Sequence, residues 1–291
     1  MILPFTDRST ANGSYPPFAQ RWEARRPFAI GCITLFSLLF TSHINPEPGK
    51  SIQGEPAPAR NKATSEIVVS AASSLTNVMQ RIGPAFEKQT GIRPVFQFAG
   101  SGHLVRQIEQ GAPADVLISA DEWGMRSAID AGLVEDGVQT VAYNSLALVT
   151  PAANKTVRTV YDLLSPQVLR IAMGDPQFVP AGRYGERALI KMGLYGLVYS
   201  KLLLTANVRQ ALQYVVQGEV DAAIVYRSDY QLKSSELRLI AVLNPGIQIR
   251  YPAAVVAASS HKSSAIQFIQ FMKKSTAMHR ALLLFGFEPA K

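Results

Sequence analysis

Cysteine is all but missing from this 291-residue chain: Cys32 stands alone, which excludes an internal disulfide and any cysteine-rich metal site. Histidine is nearly as scarce. His43, His103, His261 and His279 show no H-x-x-x-H or related spacing, so neither a structural zinc nor any other free cation is expected. Long apolar runs are lacking too, since the stretch Phe28–Phe40 holds thirteen residues, too few to cross a bilayer comfortably. Neither glycine turn, Gly100-Ser-Gly102 or Pro180-Ala-Gly182, carries the G-K-[ST] that grips a nucleotide. There is no G-x-S-x-G elbow, and no histidine stands in a triad pattern with Ser74 or Ser101. Asp115, Asp121, Asp175 and Asp221 lie beside turns, where carboxylates cap backbone and stay solvated. The chain is therefore read as a binding protein without cofactor or catalytic pair.

The surplus of positive charge, +8, invites a nucleic-acid reading. It is spread thinly, with no basic run longer than Lys273-Lys274 after the first sixty-odd residues and no nucleic-acid motif beside it, so that class is set aside. At the N-terminus, Arg25-Arg26 precede the apolar run Phe28–Phe40, the order of a charged and a hydrophobic region in an export signal. Ala29-Ile-Gly-Cys32 has some likeness to a lipoprotein processing box, but almost no apolar segment precedes it, and Cys32 is read as part of the apolar run. The Pro, Gly, Lys and Ala content from His43 to Thr64 reads as a linker.

From Ile67 onward short apolar runs alternate with helical periodicity, the pattern of an α/β protein with mainly parallel sheets. Ile67–Val69 reads as a buried strand, and Leu75, Val78, Met79, Ile82 and Phe86 recur after it at helical spacing. Strands are expected at Pro94–Phe98, Val116–Ser119, Ser145–Thr150, Leu169–Ala172, Ala222–Tyr226 and Tyr251–Val256. Helices are expected over Ser101–Gln110, closed by Gly111, and Asp121–Ala131, closed by Gly132, and again from Gly182 to about Gly193. Asn207 would cap another over Val208–Gln217, and two more begin near Ser264 and Ser275.

Four strand-to-helix turns carry small or hydroxyl residues: Ala71-Ala-Ser-Ser74, Gly100-Ser-Gly102, Pro180-Ala-Gly182 and Asn207-Val208. A helix N-terminus presents unpaired N–H groups and the positive end of the dipole, and small residues let an anion come close to the backbone. In an open α/β sheet such turns lie at the carboxyl ends of the strands, where ligands bind. Singly each is a cap or a flexible turn. Their recurrence is what points to an anion site.

Ser70-Ala-Ala-Ser-Ser-Leu-Thr-Asn77, Phe98-Ala-Gly-Ser-Gly102 and Gln107-Ile-Glu-Gln-Gly-Ala-Pro-Ala-Asp-Val-Leu-Ile-Ser-Ala-Asp121 resemble the periplasmic molybdate-binding proteins of molybdate ABC transporters. Ala172-Met-Gly-Asp-Pro-Gln-Phe-Val-Pro-Ala-Gly182, Asn207-Val-Arg209 and Ile224-Val-Tyr-Arg-Ser-Asp229 continue the likeness in the same order, over about residues 66–289. The resemblance implies the class II periplasmic binding-protein fold, two α/β lobes with mainly parallel sheets joined by crossing hinge strands. It implies a signal peptide and linker over 1–64, lobe I over 65–146 plus 248–291, and lobe II over 147–247. The ligand would be molybdate or tungstate, held by Ser74 and Ser101 from lobe I and by Ala181, Val208 and Tyr226 from lobe II. Ala181 and Val208 can offer only backbone N–H groups. A monomer in the periplasm would deliver the oxyanion to a membrane permease and its ATPase; sulfate or phosphate is the alternative ligand. Two departures stand out. Gly100-Ser-Gly-His103 replaces a serine-rich turn, and Arg183 and Arg227 follow Ala181-Gly182 and Tyr226, where each is read as a solvated surface charge unless it points into the cleft.

Overall fold

The computed structural model describes residues 65–290. The readings made on the N-terminus, namely the export signal, the role of Cys32 and the linker up to residue 64, lie outside the described residues.

Eleven strands form two sheets among the described residues. In the first sheet, β1 (Ser65–Ala72) lies between β2 (Ile92–Ala99) and β3 (Val116–Ile118), parallel to both. Beyond β3 come β10 (Ile249–Val255), β4 (Gln139–Asn144) and the short β11 (Glu288–Pro289), each antiparallel to its neighbour. In the second sheet, β6 (Ile171–Gly174) pairs in parallel with β7 (Leu202–Thr205) and β8 (Ala222–Tyr226). Next to β8 runs β5 (Leu146–Pro151), antiparallel, followed by β9 (Leu237–Leu243), antiparallel again.

The α/β class, the two sheets and the crossing strands agree with expectation, but both sheets are mixed rather than mainly parallel. The reason lies in the connections. Where a helix separates two strands the chain returns to the same edge and the pair is parallel. Between β4 and β5 only Ser145 intervenes, so the chain runs almost straight from one sheet into the other. The return path, β9 into β10, runs beside it in the opposite sense, with Leu146 opposite Leu243 and Asn144 opposite Ile249. A single antiparallel ribbon thus threads both sheets and is their connection.

The helices follow the sequence signals closely. The α1 helix (Thr76–Thr90) buries Val78, Met79, Ile82 and Phe86 against the first sheet, and Gly91 ends it at φ 72°, a conformation that glycine adopts without steric cost. Asp121 caps α3 (Glu122–Asp130) by accepting from the Gly124 N–H, and Asn207 caps α6 (Val208–Val216) by accepting from the Gln210 N–H. Pro180 opens α4 (Pro180–Lys191), where its missing N–H has no intrahelical partner to lose. The α2 helix (Ser101–Glu109) packs with α3 over one face of the first sheet, burying Leu104, Val105, Ile108, Met125 and Ala128. Short α5 (Tyr195–Val198) and α7 (Arg227–Leu232) lie in the second half, while α8 (Lys262–Lys274) and α9 (Thr276–Leu284) close the chain against the first. Among the described residues no helix is long and apolar enough to cross a membrane.

Candidate functional site

Five strand ends face one another across the gap between the sheets. The β1 strand runs into a 3-10 turn, Ser73–Leu75; β2 passes through Gly100 into α2; the segment after β6 enters α4; β7 passes through Asn207 into α6; and β8 ends at Tyr226. All five residues expected at the site, Ser74, Ser101, Ala181, Val208 and Tyr226, line one small cavity between the halves. Its other walls are Ala72, Ser73, Ala99, Gly100, Ala120, Val179 and Pro180, so no charged side chain lines it.

The polarity of the cavity follows from what holds each group. Ser101 is fully buried and its Oγ accepts from the Ala120 N–H at 3.0 Å, which leaves the hydroxyl proton free to point inward. Ser74, equally buried, has its Oγ 3.0 Å from the Tyr251 Oη. Ala181 and Val208 stand in the first turns of α4 and α6, where backbone N–H groups have no carbonyl four residues back. The Tyr226 hydroxyl is buried and has no hydrogen-bond partner among the described residues. Burial pushes the Tyr226 and Tyr251 phenols well above their ordinary range, and in the case of Tyr251 the hydrogen bonds with Ser74 and Asn144 offset part of that rise. Both therefore stay protonated and able to donate. A cavity walled by neutral donors and helix N-termini suits a compact oxyanion, because a neutral donor to a charged acceptor makes a bond about twice as strong as between neutral groups.

Positive charge is close by but neutralised. Arg209, one residue beyond Val208, sends its Nε to within 2.8 Å of Asp229 Oδ1, an ion pair out of line for a hydrogen bond. Its two remaining nitrogens donate to Asn77 Oδ1 at 2.8 Å and to the Ser74 carbonyl at 2.7 Å, both on the opposite half. The Asp229 carboxyl, wholly buried, is pushed up by desolvation and drawn back by Arg209 and by the Tyr226 N–H, which donates to it at 3.1 Å. Arg183, two residues beyond Ala181, also crosses the gap. Its Nε donates to Asp121 Oδ2 at 2.7 Å and its guanidinium lies 4.5 Å from the centre of the Trp123 ring. The expectation of a solvated surface charge thus fails for Arg183, which is drawn in by a buried carboxylate and an aromatic face, and holds for the exposed Arg227. Neither side chain lines the cavity.

The glycine-rich turn has a structural reason. A Cβ on Gly102 would meet the Phe178 backbone of the opposite half at 2.9 Å, and the Gly102 N–H donates to the Phe178 carbonyl at 2.8 Å. The sequence signals missed Tyr251, Asn144 and the pairing of Asp229 with Arg209. Arg209 and Asp229 stood inside quoted motifs, but nothing in their spacing joined them.

The family model of bacterial extracellular solute-binding proteins matches residues 67–288. The molybdate-binding protein ModA of Escherichia coli is 37% identical, over 72% of this chain and 83% of its own. Among solved structures, the periplasmic molybdate-binding protein of Azotobacter vinelandii superposes with a TM-score of 0.68 at 23% identity, covering 77% of this chain and all of that one. The sulfate-binding protein SubI of Mycobacterium tuberculosis superposes with a TM-score of 0.69 at 20% identity, over 78% of this chain and 88% of its own.

Proposed function

The chain belongs to the bacterial extracellular solute-binding proteins, and from that membership we propose that it captures molybdate or tungstate and passes it to an ABC transporter. It is a binding protein and not an enzyme. Its resemblance in sequence is to molybdate-binding proteins, whereas the likeness to a sulfate-binding protein is one of fold alone. The single observation that carries the reading is the convergence of five uncharged donor positions, from both halves, on one cavity with no ionised wall.

In this proposal Ser74 and Ser101 donate hydroxyl bonds from lobe I, residues 65–146 plus 248–291. Ala181 and Val208 donate backbone N–H groups and Tyr226 its phenol from lobe II, residues 147–247. Discrimination against sulfate rests on size, since donors spaced for a larger oxyanion are left partly unpaired around a smaller one, at about 1–3 kcal/mol for each unmade buried bond. The protein acts as a monomer in the periplasm, exported by the segment 1–64, and presents the closed form to a membrane permease with its ATPase.

Thermal unfolding with molybdate, tungstate, sulfate and phosphate in turn tests the reading. A ligand bound only by the folded state stabilises by RT ln(1 + [L]/Kd), about 2.7 kcal/mol at a hundredfold excess over Kd. Molybdate and tungstate should raise the midpoint at concentrations where sulfate and phosphate leave it unchanged. A larger shift with sulfate or phosphate overturns the assignment.

A further inference from the structure

Ser101 meets the cavity from between two glycines, and each of them is a point where the other half of the molecule touches down. A Cβ on Gly100 would stand 2.9 Å from the Ala206 carbonyl oxygen and 3.2 Å from the Val179 side chain. A Cβ on Gly102 would stand 2.9 Å from both the Cα and the carbonyl oxygen of Phe178. Carbon atoms in good contact lie about 3.5–4.0 Å apart, so these approaches are clashes. The closest atoms met are backbone, which cannot swing aside; the His103 ring, 3.1 Å from a Cβ on Gly100 and in the same half, can. Neither glycine is required by its own conformation. Gly100 is extended, at φ −63° and ψ 141°, and Gly102 lies in the first turn of α2, so alanine suits both backbones. What requires them is the close approach of another stretch of chain.

The partners give that approach its meaning. Phe178 lies three residues before Ala181 and Ala206 lies two before Val208, so the glycines receive the two loops that bring the first turns of α4 and α6 to the cavity. Phe178 is held further by α2 itself. Its carbonyl accepts from the Gly102 N–H at 2.8 Å, its ring centre lies 4.8 Å from that of His103, and the Arg106 guanidinium stands 5.4 Å from it. We propose that Gly100 and Gly102 are positioning residues that set how closely the two halves meet, and with it the width of the cavity between Ser101 and the first turns of α4 and α6. The inference rests on the solute-capture function given above and deepens it by naming what limits closure. A methyl group at either glycine is a wedge in the closed form alone, since in an open form it meets nothing from the other half. It therefore weakens only the part of ligand binding that comes from closure, because a ligand shifts an equilibrium by its difference in affinity for the two forms.

The test compares the purified wild type with Gly100→Ala, Gly102→Ala and a control, Gly196→Ala, where a Cβ would have nothing within 4 Å. Molybdate is the probe. Calorimetry should show affinity reduced about ten- to hundredfold in each of the first two variants, the usual effect of an added methyl group in a close-packed contact. Stopped-flow displacement should place that loss in faster dissociation, with association little changed. Small-angle scattering at saturating molybdate should find both variants larger than the wild type, and Gly196→Ala should match the wild type in all three measurements. Thermal unfolding without molybdate should find both variants folded, because opening relieves the wedge. Unchanged affinity, an unchanged radius at saturation, a loss carried by association, or a variant that does not fold would each overturn the role of the glycine concerned, and the two substitutions judge it independently on either side of Ser101. Should the wild type bind sulfate in place of molybdate, the functional reading falls by itself, and the same comparison made with sulfate still judges the glycines.

Discussion

At the scale of single residues, what could be read from the sequence was the set of groups that act through local geometry. Ser74, Ser101, Ala181 and Val208 all sit where a strand gives way to a helix, and the run of apolar residue types followed by small ones exposes that junction to inspection. Tyr226 was visible as the polar end of a buried strand. Tyr251 was not, because its partner Ser74 lies 177 residues away and a tyrosine in an apolar strand looks like packing. Asp229 was hidden for the same reason, being 20 residues from an arginine that only the fold brings to it. The structure also changes what a serine substitution should do. The Ser101 Oγ accepts from the Ala120 N–H and, on the proposed site, gives its proton to the ligand, so Ser101→Ala would remove a donor to the anion and leave a buried N–H unpaired. Calorimetry should show molybdate affinity reduced about ten- to hundredfold, and thermal melting without ligand should show a loss of about 1–3 kcal/mol. A melting midpoint that does not move would mean that the Ala120 bond is unimportant, and an unmoved affinity would take Ser101 out of the site.

At the scale of elements, the helices were easier to find than the strands. Capping residues and terminal glycines mark α3 and α6 to within a residue or two, whereas β4, β7 and β9 carry no such punctuation and their partners are remote in sequence. The edge strand β7 even exposes Leu203 and Leu204, contrary to any simple rule of apolar burial. The two helices whose first turns line the cavity, α4 and α6, share a design that no linear motif declares. In α4 Pro180 and Ala181 face the cavity and Arg183 crosses the gap; in α6 Val208 faces the cavity and Arg209 crosses the gap. Each first turn thus faces the cavity and, within two positions, ties its own half to the other. The Arg183 link joins a largely buried ion pair to a cation–π contact, and neither exists if the halves separate. Such contacts are worth about 1–2 kcal/mol together, or roughly five- to thirtyfold in affinity if the unliganded protein is mostly open. Stopped-flow displacement should therefore find molybdate leaving Arg183→Met faster by that factor, with the association rate little changed. Equal dissociation rates would reduce Arg183 to a surface contact.

At the scale of the whole molecule, the ribbon formed by β4–β5 and β9–β10 decides how the cleft can work. It is the covalent connection between the two sheets, and Asn144, Ser145, Leu243 and Ile249 mark the places where it passes from one to the other. Rotation at those few residues would open the gap without disturbing either sheet, the hinge mode of ligand capture. The contacts across the gap present in the structure are the arginine links and the Gly102 to Phe178 bond, which need no ligand; Tyr226 Oη has no partner among the described residues, and on the proposed site the anion would supply one to it and to the two first turns. A ligand can shift an equilibrium only by its difference in affinity for the two states. If the anion is held as proposed, opening would leave it with the serines of lobe I and carry Tyr226 away from it, so the phenol bond would belong to the closed state alone. Small-angle scattering should accordingly show the wild type contracting on addition of molybdate. Tyr226→Phe, which keeps the ring and its packing against Tyr251 at a centroid distance of 5.9 Å, should need about tenfold more molybdate to contract and should remain larger at saturation. If the variant contracts at the same molybdate concentration and to the same radius as the wild type, the hydroxyl takes no part in closure, and Tyr226 is a core aromatic whose nearness to the cavity is incidental.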